Sequence, residues 1–192
     1  MSKWLQAAVI AVAVIPLPGA DAAAQTAKTD TDGHANTTGA FDSSRVKVTL
    51  EDRIAIQDLF ARYSQAIDMG NANEMVNNVF APNGIFHDPS LCLVGSEEIK
   101  AGLASHPSHV RTSQHWPNNI VITDMSPAGD RAQVHSYVFL VSPTRGVTTV
   151  GTYHDTLVKI RGKWLILDRE VYRPGEIKLD PRCPTDLTTI EP

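Results

Sequence analysis

Residues 49–70, TLEDRIAIQDLFARYSQAIDMG, encode one helix together with the signals for both of its ends. Ile56, Leu59, Phe60, Tyr63 and Ile67 recur at three- and four-residue steps, which puts them on a single face. Thr49 followed by Asp52 is a capping pattern, and Glu51 and Asp52 suit the positive end of the helix dipole. Gly70 can adopt the left-handed backbone that closes a helix. A helix with one apolar stripe must bury it against another layer, so this segment already demands a packed partner. Asp68 lies in the last turn beside Ile67 and borders that stripe. Its carboxylate is either aimed into the interior or turned out to solvate the helix end.

The rest of the chain decides the partner. Residues 72–80 carry Met75, Val76, Val79 and Phe80 at helical spacing and stop before Pro82. Residues 84–87 read as a short strand, and 95–105 as a helix with Ser96 as a plausible N-cap. From Arg111 the pattern changes to four strand-like runs, 111–123, 131–141, 148–160 and 163–172. Turn chemistry at Ser126-Pro127-Ala128-Gly129-Asp130, at Ser142-Pro143-Thr144-Arg145-Gly146 and at Arg161-Gly162 separates them. Such short connections favour an antiparallel meander, and helices gathered before it predict an α+β fold. If the sheet curves strongly, the helices close it off and leave a pocket for a small molecule.

The domain covers only part of the chain. A chain of 192 residues has room for one domain with extensions. Residues 1–24 have the three parts of a secretory signal: Lys3, the apolar run 7–15, and small-x-small sites at 20–22 and 22–24. That run is too short to span a bilayer. The expectation is a mature protein that is periplasmic or secreted, starts near Ala23 or Gln25, and has no membrane segment after cleavage. Residues 25–45 are rich in Thr, Asp, Gly, Ala and Ser and predict a flexible linker. The folded domain is expected over 46–175, with an irregular tail at 176–192 containing Pro181, Pro184 and Pro192. Cys92 and Cys183 are the only cysteines, and either pair in a disulfide or stand as two free thiols.

A net charge of −4, with no basic cluster, argues against nucleic acid and against a polybasic membrane surface. There is no Gly-rich phosphate cradle, no nucleophile elbow and no Cys–His motif, so chemistry without a cofactor is expected. His106 and His109 flank a proline and lack a carboxylate to complete a ligand set, so no metal site is expected.

Several stretches carry a resemblance. The Ala66-Ile67-Asp68 helix end, Phe80-Ala81-Pro82-Asn83-Gly84, Val94-Gly95, Gln114-His115, Gly151-Thr152-Tyr153-His154 and Gly162-Lys163-Trp164 resemble the SnoaL-like branch of the NTF2-like superfamily. The resemblance implies a cone of N-terminal helices on a strongly curved antiparallel sheet enclosing a pocket. Within the branch the pattern is most similar to the Asp–His dehydratases, scytalone dehydratase and bile-acid 7α-dehydratase. It implies Asp68 and His115 as the catalytic pair, with Tyr63 at the position of the bile-acid enzymes' tyrosine. It also implies a homo-oligomer, a dimer or trimer formed through the outer face of the sheet. The run 137–141, Tyr-Val-Phe-Leu-Val, is apolar on both faces, as that arrangement requires.

The residues support this chemistry independently. A histidine whose second nitrogen is fixed by a carboxylate can act as base and then as acid near neutral pH. A tyrosine beside it can stabilise an enolate oxygen. Candidate substrate-contacting residues are His87, Trp116, His135, Thr152, His154 and Arg169. Alternation puts Thr152 and His154 on one face of their strand, with Tyr153, Asp155 and Leu157 on the other. A polar inner face built from the first pair would suit an oxygenated ligand. Arg169 either meets an anionic substrate group or turns out to solvent. The readings that remain are a lyase of the dehydratase type, a double-bond isomerase using the same proton abstraction, and a ligand-binding protein without catalysis.

Overall fold

The computed structural model describes residues 47–105, 112–175 and 183–184. Every described residue belongs to a single compact unit. The expected secretion signal and the whole of the expected linker lie outside the described residues, as do His106, His109 and most of the tail.

Helix α1 spans Leu50–Asp68. Thr49 caps it by accepting the Asp52 amide at 3.0 Å. Asp52 in turn accepts from the Trp164 indole at 2.9 Å and from Lys159, so the cap also fastens the helix start to the sheet. At the other end Gly70 takes φ +64°, and the Asn71 amide donates back to Ala66. A short helix α2, Ala72–Glu74, runs into one π-helical turn, Met75–Val79, where a single longer helix was expected.

Strand β1, Phe80–Asp88, begins earlier than its sequence suggests. Pro82 and Gly84 sit where its register shifts, between Phe80 and Ile85. A Cβ on Gly84 would lie 2.9 Å from the Ala81 carbonyl oxygen and 3.1 Å from that of Ile166, so no larger residue fits there without movement. β2, Leu91–Val94, turns back along β1, and α3 covers Gly95–Ala104. The meander is completed by β3 Gln114–Met125, β4 Arg131–Ser142, β5 Gly146–Ile160 and β6 Lys163–Tyr172.

The six strands form one open sheet in the order β2-β1-β6-β5-β4-β3. β1 and β6 run parallel and every other neighbouring pair is antiparallel. Extra residues in β3, β5 and β6 shift the register and bend the sheet, as bulges do. The apolar stripe of α1 packs with the π-turn and α3 against one face of this sheet. Ile56, Phe60, Val79, Val134, Leu157 and Ile166 are fully buried there. The fold is the helix-covered α+β architecture expected from the order of elements.

Cys92 on β2 and Cys183 form a disulfide with a Cα–Cα distance of 5.5 Å. It closes a loop across 91 residues and holds the described part of the tail to the sheet edge. Among the described residues no helix is long and apolar enough to cross a membrane.

Candidate active site

The end of α1 delivers Asp68 to the start of β3. Its Oδ1 lies 2.7 Å from His115 Nδ1, and both carboxylate oxygens accept the His115 backbone N–H at 3.1 and 3.2 Å. A carboxylate bound to both ring and backbone fixes the imidazole in position and tautomer. Nδ1 donates to Asp68, and Nε2 is left for another partner. His115 is buried, yet it lines a cavity of about 460 Å³.

That cavity lies between α1 and the sheet. Its apolar wall includes Ile67, Phe86, Leu91, Val138, Leu140 and Val171. Its polar groups are Tyr63, Tyr153, His115, Asp88, Ser90, Thr149 and Arg173, with Arg173 Nη2 bound to Asp88 at 2.9 Å. Tyr63 stands edge-on to His115, ring centroids 6.4 Å apart, and edge-on to Tyr153 at 5.9 Å. Burial raises the Tyr63 pKa, with the Arg169 charge acting against that rise. Tyr63 therefore stays a neutral O–H donor over the whole working range of pH.

Behind the two tyrosines lies Arg169, fully buried. Its guanidinium carbon sits 3.9 Å from the Tyr63 ring centroid and 4.1 Å from that of Tyr153. Asp155 holds it with two bonds, Nε to Oδ1 at 2.6 Å and Nη2 to Oδ2 at 3.1 Å. Burial pushes the Asp155 carboxyl up and Arg169 opposes that push. For Arg169 burial acts against the charge, but Asp155 and the two tyrosines outweigh it and raise the pKa. The pair is a charged floor held in place by aromatic faces.

The remaining sequence candidates lie elsewhere. Trp116, next along β3 from His115, is half-exposed and borders an outer cleft beside Asp68 rather than the cavity. Thr152 and His154 alternate as expected but with the opposite phase: Tyr153 and Asp155 face the helices, and Thr152 and His154 face away. Burying Tyr153 and Leu157 under α1 gains more apolar contact than burying Thr152 and His154 would, which sets the phase. His135 stacks on His154 across β4 and β5 at 4.1 Å, on that same outer face. His87 is buried on β1, also opposite the cavity, beside Asp168. Arg169 is inward but lies behind Tyr63 and Tyr153 instead of lining the cavity. Sequence reasoning did not single out Asp88, Ser90, Thr149, Tyr153 or Arg173. Tyr153 was placed on the strand face that proves to be inward, and the polar flanks of β1 and β6 carried no comparable signal.

The model of the SnoaL-like domain family matches residues 48–170, which is nearly the whole described domain. No curated protein matches the chain. Among solved structures, a Nostoc punctiforme protein of unknown function with a cystatin-like fold is 23% identical, with TM-score 0.60, over 72% of this chain and 98% of its own. An NTF2-like protein with a cystatin-like fold from Novosphingobium aromaticivorans is 20% identical, with TM-score 0.59, over 67% of this chain and 85% of its own. A candidate scytalone dehydratase from the same organism is 24% identical, with TM-score 0.54, over 68% and 87%. At these identities the likeness is one of fold.

Proposed function

The chain belongs to the SnoaL-like domain family, and from that membership we propose that it is a cofactor-independent lyase of the dehydratase type. Its substrate would be a cyclic, hydrophobic, oxygen-bearing small molecule. The observation that carries the reading is His115, held through Nδ1 by Asp68 at 2.7 Å while it lines a largely apolar cavity. The scytalone dehydratase description of one fold neighbour supports the same reaction class.

In this reading Nε2 of neutral His115 takes the proton next to a substrate carbonyl. The electron pair moves onto the carbonyl oxygen, where the Tyr63 O–H donates to the developing enolate. Asp68 stabilises the imidazolium that has formed, as a triad carboxylate does. As the enolate collapses, the β-hydroxyl leaves with the proton from Nε2, so one histidine serves as base and then as acid, and the product is an enone plus water. Arg169 and Asp155 act only through Tyr63 and Tyr153, by holding both rings in place.

Turnover of hydroxylated ketones, hydroxysteroids and halogenated rings by the purified protein, monitored by product mass, tests the proposal. Loss of water from a hydroxylated ketone supports it. A shifted double bond at unchanged mass makes the protein an isomerase, and binding of the panel without any turnover makes it a ligand carrier.

Export and self-association belong to the same proposal. The Cys92–Cys183 disulfide supports an oxidising compartment. Intact mass of the protein recovered outside the cytoplasm, with residues 1–22 retained, would overturn cleavage near Ala23 or Gln25, and recovery of the chain from the cytoplasm alone would overturn export. Trp116, Tyr137 and Val150 stand exposed on the face away from the helices, and they support an oligomer through that face. Light scattering should give a multimer mass that Tyr137→Glu reduces to a monomer's. A monomer mass for the unaltered protein rejects it.

A further inference from the structure

His87 on β1 stands opposite Glu170 on β6 in the parallel register, and Asp168 lies two residues before Glu170. Alternation therefore places all three on one face, opposite the cavity wall formed by Phe86, Asp88 and Val171. His87 Nε2 is 3.3 Å from Asp168 Oδ1 and 3.7 Å from Glu170 Oε1. One donor atom from each residue lies within 4.8 Å of the others.

Two further observations point to a ligand. Asp168 is only 6% exposed, yet among the described residues its Oδ1 has no hydrogen-bond partner, and it faces the histidine nitrogen. Glu170 is oriented from outside the cluster. The Tyr172 hydroxyl donates to its Oε2 at 2.7 Å, which turns Oε1 toward His87 and Asp168. An outer partner that aims a carboxylate in this way is the usual companion of a metal ligand.

We propose that His87, Asp168 and Glu170 form a site for a divalent transition cation of the zinc type. Nitrogen and oxygen ligands bind zinc at about 2.0–2.2 Å, and the edge of such a tetrahedron is roughly 3.3–3.5 Å. The two distances to His87 Nε2 match that edge closely enough for small side-chain adjustments to close it. One imidazole with two carboxylates suits zinc or a neighbouring divalent ion better than a soft cation or magnesium. The fourth position is open to water. The ion would bind β1 to β6, the one parallel pair among the described strands, directly behind the strands that wall the cavity. Its role is structural, because it lies on the face opposite His115.

Calorimetric titration of the chelator-stripped full chain with zinc chloride tests this, with cobalt(II) absorption as a second readout. One zinc per chain is expected, with a cobalt spectrum of tetrahedral form and a rise in melting temperature on zinc addition. Glu170 is half-buried, so Glu170→Gln should fold, and it should weaken binding at least tenfold and remove the melting shift. Tyr172→Phe should weaken it by roughly 10–100-fold, as loss of an outer partner does. Asp168→Asn repeats the test at a second ligand. No binding at sub-millimolar zinc overturns the site and leaves an ion-paired cluster. Binding that persists unchanged in both carboxylate variants also overturns it, because the ion then sits elsewhere.

Discussion

Away from the β1–β6 cluster of His87 and Asp168, the two faces of the sheet are built from the same strands yet hold their polar groups in opposite ways. On the helix-covered face, Asp155 and Arg169 are sealed among Phe60, Tyr63 and Tyr153, and His115 is fixed by Asp68. On the other face His135 and His154 stack in partial contact with solvent, and Tyr137 stands half-exposed. Histidines thus occur on both sides, but among the described residues only one has its ring fixed by a carboxylate at the edge of an apolar cavity. Under the proposed function, residue type by itself does not select the catalyst. Low dielectric and a fixed partner do, because they set which nitrogen is free and how strongly charge is felt there.

The comparison is most exposed at the dyad. Asp68→Asn and His115→Ala should each lower turnover by about 10²–10⁴-fold while the melting curve stays cooperative. The double variant should be little worse than the poorer single one, because the two act as a unit. Tyr63→Phe should cost less, about 10–10³-fold, since it removes one donor to the enolate oxygen. Steady-state rates on any turned-over substrate check all three. If Asp68→Asn unfolds the protein, the carboxylate is a structural anchor and the site assignment fails.

Next in size comes the buried pair. Arg169→Met leaves Asp155 inside the protein without its cation, and should cost about 3–5 kcal/mol by denaturant unfolding. Adding Asp155→Leu should recover much of that loss, because the penalty lies in the unpaired charge. A loss unchanged in the double variant would mean that packing against the tyrosines, and not charge, is what Arg169 supplies.

The cap of α1 should matter less. Asp52→Ala removes acceptors for Trp164 and Lys159 and should cost about 1–2 kcal/mol. Burial acts to raise the Asp52 pKa, but the bonds from Lys159, Trp164 and Thr49 outweigh it and hold it below its ordinary 3.8. A depressed carboxyl binds fewer protons folded than unfolded. Its contribution is therefore complete above the ordinary value and is lost as pH falls through the lowered one. The difference between the parent and Asp52→Ala in urea melts should shrink across that acid window and not at neutral pH.

The smallest effect is expected on the open face. His154→Ala should change stability by no more than about 0.5 kcal/mol and leave turnover within experimental scatter. Set beside His115→Ala, the same substitution then has opposite consequences on the two faces. A rate loss at His154 comparable to that at His115 would break the comparison.

Much of this molecule was legible in local chemistry. The Thr49 cap, the Gly70 stop, the stripe of α1 and the turns that bound β4, β5 and β6 all depend on neighbours within a few residues, so the sequence states them directly. The family pattern supplied Asp68, Tyr63 and His115 as candidates, and the α+β order of elements came from periodicity. What tertiary structure decided is everything that joins distant segments. Alternation along β5 has period two and is equally consistent with either phase, and only the burial of Tyr153 and Leu157 under α1 chose one. Arg169 reads as either a substrate contact or a solvated charge until the β5–β6 register sets Asp155 opposite it. The parallel β1–β6 pairing, the Cys92–Cys183 bond and the 2.7 Å contact between Asp68 and His115 likewise depend on how helices and sheet pack. Those contacts join residues far apart in the chain, and no local propensity encodes a distance between them.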